Sequence, residues 1–218
     1  MKLRKTLISI PAQGAWLEGL LCHAPNVRGL VLRLHSTGHP ALDGPESALE
    51  GELHRHGFAT VTLDLLTRQE VHRDPDAAYN IPRLSERIQS TVEWIAHQPP
   101  IGALRLGLVA QDTGCAAAVR AVVRDPDRFT ALVFLNGRPD LAGAEPLRAL
   151  RCPVRFIVTP RSPDSAILEK AYALLKGPRH WLALPDGADE REDERLQARA
   201  ACAWLEQHLG TTESAALE

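Results

Sequence analysis

Short apolar segments and amphipathic helical segments alternate along nearly the whole chain, and this alternation restricts the fold more than any other feature. Apolar runs rich in Val, Leu, Ile and Phe occupy 28–36, 58–66, 104–110, 129–136, 153–159 and 180–185. Between them lie segments with helical patterning at 45–57, 81–98, 113–125, 165–175 and 193–209. In 81–98 the residues Leu84, Ile88, Val92 and Ile95 fall on one stripe, and Pro99 and Pro100 stand just beyond it as breakers. Strands separated by helices of this length pair in parallel through right-handed crossovers, with helices on both faces of a twisted sheet. Ahead of the series, 6–10 and 15–23 read as a hairpin turning at Pro11 to Gly14. The stretch from Leu66 to Asn80 is charged, contains Pro75 and has no clear period, so it reads as a long loop at the rim of the sheet.

The bulk properties narrow the function classes. A chain of 218 residues, 44% hydrophobic and 24% charged, is expected to form one α/β domain over 1–218, with 211–218 as a disordered tail. A formal charge of −2 without blocks of like charge argues against nucleic acid or an anionic membrane surface and for a small-molecule partner. No segment approaches the roughly 20 apolar residues of a membrane helix, and Pro11 and Gln13 interrupt the only signal-like run near the start. Cys22, Cys115, Cys152 and Cys202 are widely spaced without a CxxC pair, as reduced thiols in a cytoplasmic protein would be. The four tryptophans, Trp16, Trp94, Trp181 and Trp204, read as core residues, and nothing in the sequence fixes an oligomeric state.

In an open parallel sheet ligands collect at the carboxyl ends of the strands. The segment "LVAQDTGCAAAV" passes from an apolar strand into a small-residue helix with Asp112 at the bend. Asp112 has two readings. As a helix N-cap it would accept backbone N–H bonds from Gly114 or Cys115; as a nucleophile it would attack an electrophilic carbon and form an ester.

"GLVAQDTGCAAAV" resembles the nucleophile elbow GxSxG of the α/β-hydrolase fold, in the dienelactone-hydrolase-like branch. "GLVLRLHSTGH" is similar to the strand and oxyanion loop of that branch, and the segments around 81–99, 131–143 and 152–164 are similar to its later elements. The resemblance runs from about Arg28 to Leu209 and implies a hydrolase with a nucleophile, an acid and a histidine. Each of the three positions departs from that pattern. Ala110 replaces the first elbow glycine and Asp112 the serine; Ser162 stands where the acid is expected, with Asp164 as a substitute; and the segment after the last strand holds Glu190 near the place of the histidine.

Other residues fill in the site this resemblance implies. The backbone N–H groups of Ser36 and Thr113 would form the oxyanion hole, His35 would be a structural histidine of that loop, and His39, Arg138 and Arg161 would line the cleft. One of the arginines, or His35, is the expected partner of Asp112, because a desolvated carboxylate needs compensation. His35, His39 and Asp43 lack a defined metal-ligand motif, so no metal or other cofactor is expected. His54 and His56 sit at i and i+2 of a helix and diverge, while His180 and His208 lie at boundaries away from the site. Cys115, three residues past the bend, should pack against the sheet. The resemblance therefore implies a hydrolase-fold protein that has lost Ser-His-Asp ester hydrolysis and binds a small ligand in the residual cleft. The alternatives are a hydrolase using Asp112 as nucleophile, similar to haloalkane dehalogenases and epoxide hydrolases, or a non-catalytic interaction module.

Overall fold

The computed structural model describes residues 3–38, 46–160, 162–187 and 189–210; the expected tail at 211–218 lies outside them. The apolar runs become the strands β1 (Arg4–Ala12), β2 (Ala15–His23), β3 (Leu30–His35), β4 (Ala59–Asp64), β5 (Leu106–Gln111), β6 (Phe129–Leu135), β7 (Val154–Val158) and β8 (Arg179–Ala183). They form an eight-stranded sheet in the order β1-β2-β4-β3-β5-β6-β7-β8. The β1–β2 and β2–β4 pairs are antiparallel, and every pairing from β4 to β8 is parallel. The helices are α1 (Ala48–Arg55), α2 (Arg68–Arg73), α3 (Ile81–Ala96), α4 (Gly114–Arg124), α5 (Ala144–Ala149), α6 (Ser165–Leu174) and α7 (Glu190–Leu209). This is the α/β-hydrolase fold expected from the sequence.

Strand periodicity divides the core between two layers. Leu30, Leu32 and Leu34 of β3, Leu106 and Leu108 of β5, and Leu132 and Phe134 of β6 join the residues that α3, α4, α5 and α6 bury on one face. The intervening Val31, Val109, Ala131 and Val133 face α1 and α7 through Leu53, Ala201 and Leu205. Because side chains alternate across a strand, a strand covered on both faces must be apolar at nearly every position. Gly107 allows α7 to close on β5: a Cβ there would lie 2.7 Å from a Leu205 methyl and 3.0 Å from one of Leu209. None of the described helices is long and apolar enough to cross a membrane, and all four cysteines are free and buried.

Three local expectations are corrected. The hairpin turns at Gln13 and Gly14, both left-handed (φ 47° and 76°), while Pro11 and Ala12 remain in the ladder opposite Trp16 and Ala15. Both central residues at positive φ match the right-handed twist of a two-residue hairpin. Of the tryptophans, Trp204 is buried and Trp94 and Trp181 are partly so, but Trp16 is 65% exposed on the outer hairpin. The "loop" from Leu66 contains α2 and a 3-10 turn over Ala77–Tyr79.

Helix α2 has only a slight apolar anchor: none of its residues is fully buried, and Val71 alone packs partly against the core. Its start is a capping box: Thr67 Oγ1 accepts from Glu70 N–H (3.2 Å), and the Glu70 carboxylate accepts from Thr67 N–H (3.0 Å). The same carboxylate takes a two-pronged ion pair from Arg87 of α3, at 2.8 and 2.5 Å. Arg87 is fully buried and also donates to the Leu65 carbonyl at the end of β4 (2.7 Å). Arg87, foremost among these donors, holds the Glu70 carboxyl down at about 2.

Glu70→Ala leaves the buried guanidinium without a counter-ion, and a loss of about 3–5 kcal/mol in urea unfolding is expected. The pair Glu70→Leu with Arg87→Met should lose clearly less. In the parent chain the Glu70 carboxyl is depressed below its unfolded value, so its contribution is complete above about pH 4.5. It should then disappear as the pH falls toward 2, and unfolding of Glu70→Ala should lack this acid limb.

Candidate functional site

The site is built where β5 stops and α4 begins. Asp112 adopts a left-handed backbone (φ 50°), a conformation to which Asp and Asn are better suited than most side chains. Its carbonyl accepts from Cys115 N–H (3.3 Å) as α4 starts and from Arg138 N–H (2.9 Å) in the turn after β6. That turn carries two more left-handed residues, Asn136 (φ 55°) and Gly137 (φ 87°). A Cβ on Gly137 would meet Cys115 Sγ at 2.6 Å and the Asp112 backbone N and O at 2.8 and 2.9 Å. Only a glycine lets the two bends touch.

The cap reading of Asp112 is corrected. Thr113 holds the N-cap position of α4, and no side chain caps this helix. The Asp112 side chain is exposed, and among the described residues it has no hydrogen-bond or ion-pair partner. Burial by the surrounding walls nonetheless pushes its pKa above the ordinary carboxylate range.

Ser36 and Thr113 are neighbours through their side chains. Ser36 Oγ and Thr113 Oγ1 are hydrogen-bonded at 3.1 Å, and both side chains are buried, so the loop after β3 is fastened to the first residue beyond the bend. The following turn is held on its other side, where Thr37 Oγ1 donates to Asp64 Oδ2 (3.0 Å). Gly38 (φ 70°) closes against α2, since a Cβ would fall 2.5 Å from a Val71 methyl. His35, 8% exposed, receives the Gln111 amide at Nδ1 (3.4 Å), while its Nε2 has no partner among the described residues. Desolvation, followed by the Arg33 charge, lowers its pKa, which keeps the imidazole neutral. His39, Asp43 and Arg161 lie outside the described residues.

Arg138 is not the partner of Asp112. Its guanidinium holds Asp140 in a two-pronged bond, with both contacts at 2.9 Å, and lies 4.0 Å from Asp164. An adjacent carboxylate two residues away competes better than one across a turn whose backbone already uses the Arg138 N–H. Asp164 stands at the start of α6, half-buried beside Arg138. Tyr79, in the segment after Leu66, is 60% exposed.

Four further histidines have contacts away from the bend. His54 bonds Glu46 (2.5 Å) and Thr60 (2.9 Å) between α1 and β4, and His56 lies within 3.4 Å of Glu52 and 3.3 Å of Glu206. His180 and His208 pack against the Trp204 ring. Glu190 opens α7 and, with Thr159, Asp193, Glu194 and Gln197, lines a concavity of about 390 Å³. Among the described residues there is no cluster of three or more His, Cys, Asp or Glu side chains that could hold a metal. Cys115 packs fully buried as expected, its thiol pushed well up by burial.

Sequence reasoning missed Asn136. Its Oδ1 accepts from Thr159 N–H (2.9 Å) and from Thr159 Oγ1 (3.3 Å), pinning the turn after β6 to the end of β7. The signal was the Asn-Gly dipeptide, whose two residues tolerate successive left-handed conformations.

No family model matches the chain. A dienelactone hydrolase from Anabaena variabilis superimposes with a TM-score of 0.87 and 26% identity, covering 95% of this chain and 99% of that one. Est1E from Butyrivibrio proteoclasticus gives a TM-score of 0.73 at 12% identity, over 92% and 98% of the two chains. A Mycobacterium tuberculosis protein provisionally named a phosphoribosyl transferase is 30% identical over 213 residues, 95% of this chain and 47% of its own length. The chain thus spans about half the length of the curated relatives it matches.

Gly137→Ala should lower stability by about 2 kcal/mol or more, from steric overlap and a strained φ together, as read by urea unfolding. Gly14→Ala, with positive φ but open space, should cost only about 1 kcal/mol. Asp112→Asn should raise the unfolding midpoint at neutral pH. Since the folded pKa of Asp112 is raised, its ionisation disfavours the fold above that pKa, and the gain should vanish as the pH falls below about 4.

Proposed function

We propose that the cleft at Asp112 is a small-molecule binding site kept by a hydrolase-fold protein that has lost Ser-His-Asp ester hydrolysis. The observation that carries this reading is the carboxylate itself: raised at a left-handed bend, exposed, uncapped and unpaired among the described residues. A serine at this position would pass its proton to a histidine before attacking a carbonyl. An ionised carboxylate has no proton to pass, and the segment 184–190 supplies no histidine to activate a water. What remains is an acceptor facing the cleft beside the Ser36–Thr113 clasp. A ligand presenting a donor or a positive charge to Asp112 would supply the compensation this carboxylate lacks.

The second reading, a carboxylate nucleophile, is favoured by the same exposure. It requires Asp112 to displace a halide or open an epoxide, forming an ester that a base-activated water then cleaves. The transferase name of the longer relatives is assigned here to the part of those proteins this chain does not match. A hydrolase of known structure already accounts for the matched length from end to end, and a fold does not by itself carry an activity.

With p-nitrophenyl acetate and a dienelactone as substrates, the parent chain should show no turnover above background. Asp112→Ser should gain little, because the base would still be missing. Turnover that Asp112→Asn abolishes would sink the reading. Mass spectrometry after incubation with haloalkanes or epoxides should find no adduct; a covalent ester on Asp112 would establish the nucleophile. The isolated chain should likewise leave phosphoribosyl pyrophosphate unconsumed in the presence of purine and pyrimidine bases, and its consumption would overturn that assignment.

A further inference from the structure

A second concavity lies away from the bend, at the junction of the outer hairpin with the end of β4. It has a volume of about 450 Å³ and is lined by Trp16 and Glu18 of β2, Asp64 and Leu66 at the end of β4, and Arg68 and Gln69 of α2. A volume of this order suits a small organic molecule. Trp16 and Glu18 are two residues apart on one strand, so the indole and the carboxylate rise from the same face of the sheet. Trp16 exposes 65% of its surface, and the side chains of Glu18, Arg68 and Gln69 are exposed beside it.

The wall opposite the hairpin is held mainly by polar contacts, with Val71 as its one side chain packed against the core. Helix α2 buries none of its residues, yet it is fixed by its capping box and by the buried Arg87. That fixation sets where Arg68 and Gln69 project. The floor is equally fixed, since Asp64 accepts from Leu66 N–H (2.9 Å) and from Thr37. A pre-formed wall lowers the ordering cost of binding.

The chemistry of the lining selects among ligand classes. An anion would face Glu18 and Asp64, with Arg68 as the one cation among the described lining residues, and a cation would meet Arg68. A wholly apolar ring would strip water from Glu18 and Arg68 without replacing their hydrogen bonds. A neutral ring with one apolar face and a rim of hydroxyls meets none of these penalties. Its C–H face can lie on the indole, and each hydroxyl can both donate to a carboxylate and accept from a guanidinium or amide. We propose that this concavity binds a cyclic polyol, a sugar ring stacked on Trp16 with its hydroxyls bonded to Glu18, Arg68 and Gln69.

The test titrates the full chain with D-ribose, D-glucose and maltose. Two signals are read: Trp16 fluorescence, and saturation-transfer NMR on the sugar C–H protons, which does not depend on the tryptophan as reporter. At least one sugar should bind saturably. Glu18→Gln should weaken its binding about tenfold, a loss of roughly 1.4 kcal/mol. Trp16→Ala should remove the NMR transfer while leaving the unfolding midpoint unchanged. Absence of saturable binding by all three sugars would overturn the proposal, as would binding indifferent to both substitutions, or saturable binding of indole or spermidine instead. Asp112→Asn should leave the sugar signal intact, so this result stands apart from any at the bend.

Discussion

The backbone contact between two left-handed turns organises the candidate-site end of this fold. Asp112 must turn sharply for β5 to give way to α4, and Gly137 must lack a side chain for the turn after β6 to press against it. The Asp112 carbonyl joins them by accepting from Arg138 N–H. Asn136 then extends the connection to Thr159, so the ends of three adjacent strands are tied by backbone and amide bonds. In such an arrangement the side chain at the bend is positioned by main-chain geometry and needs no partner of its own. The carboxylate can therefore stand without a partner at the bend, at the cost in stability that its desolvation brings.

Polar interactions, more than apolar ones, govern the half of the sheet edge on the β3, β4 and β2 side. The clasp between Ser36 and Thr113, the bond from Thr37 to Asp64, and the Arg87–Glu70 pair form a continuous series from the bend to α2. A buried ion pair is seldom the most stabilising solution for a core, but it fixes one geometry because a misplaced partner leaves a charge unpaired. Here the geometry it fixes is a wall that the partial burial of Val71 alone would hold only weakly. The concavity between the outer hairpin and α2 is the outcome.

The layered architecture was legible in the sequence because strand and helix periods are local and strong. Leu30, Val31, Leu32 and Leu34 announce a strand covered on both faces, and Leu84, Ile88, Val92 and Ile95 announce one helical face, before any partner is known. Helix α2 was missed for the converse reason: with no buried residue it has no apolar period, although the Thr67–Glu70 capping box was in plain view. The two-residue hairpin turn was placed too early because Pro11 was read as a turn residue, whereas an edge strand tolerates proline inside its ladder.

At the site, the local sequence placed Asp112 at the bend and Cys115 in the core, while the family resemblance paired Ser36 with Thr113. The tertiary structure decided the pairing. Arg138 turned to Asp140, Thr113 took the cap position, Glu70 reached Arg87, and Trp16 was left facing outward. Pairing is a competition among groups brought together by the fold, settled by distances and desolvation that sequence separation does not encode. What a residue can do is written in its side chain; what it is free to do depends on which neighbours have already engaged it.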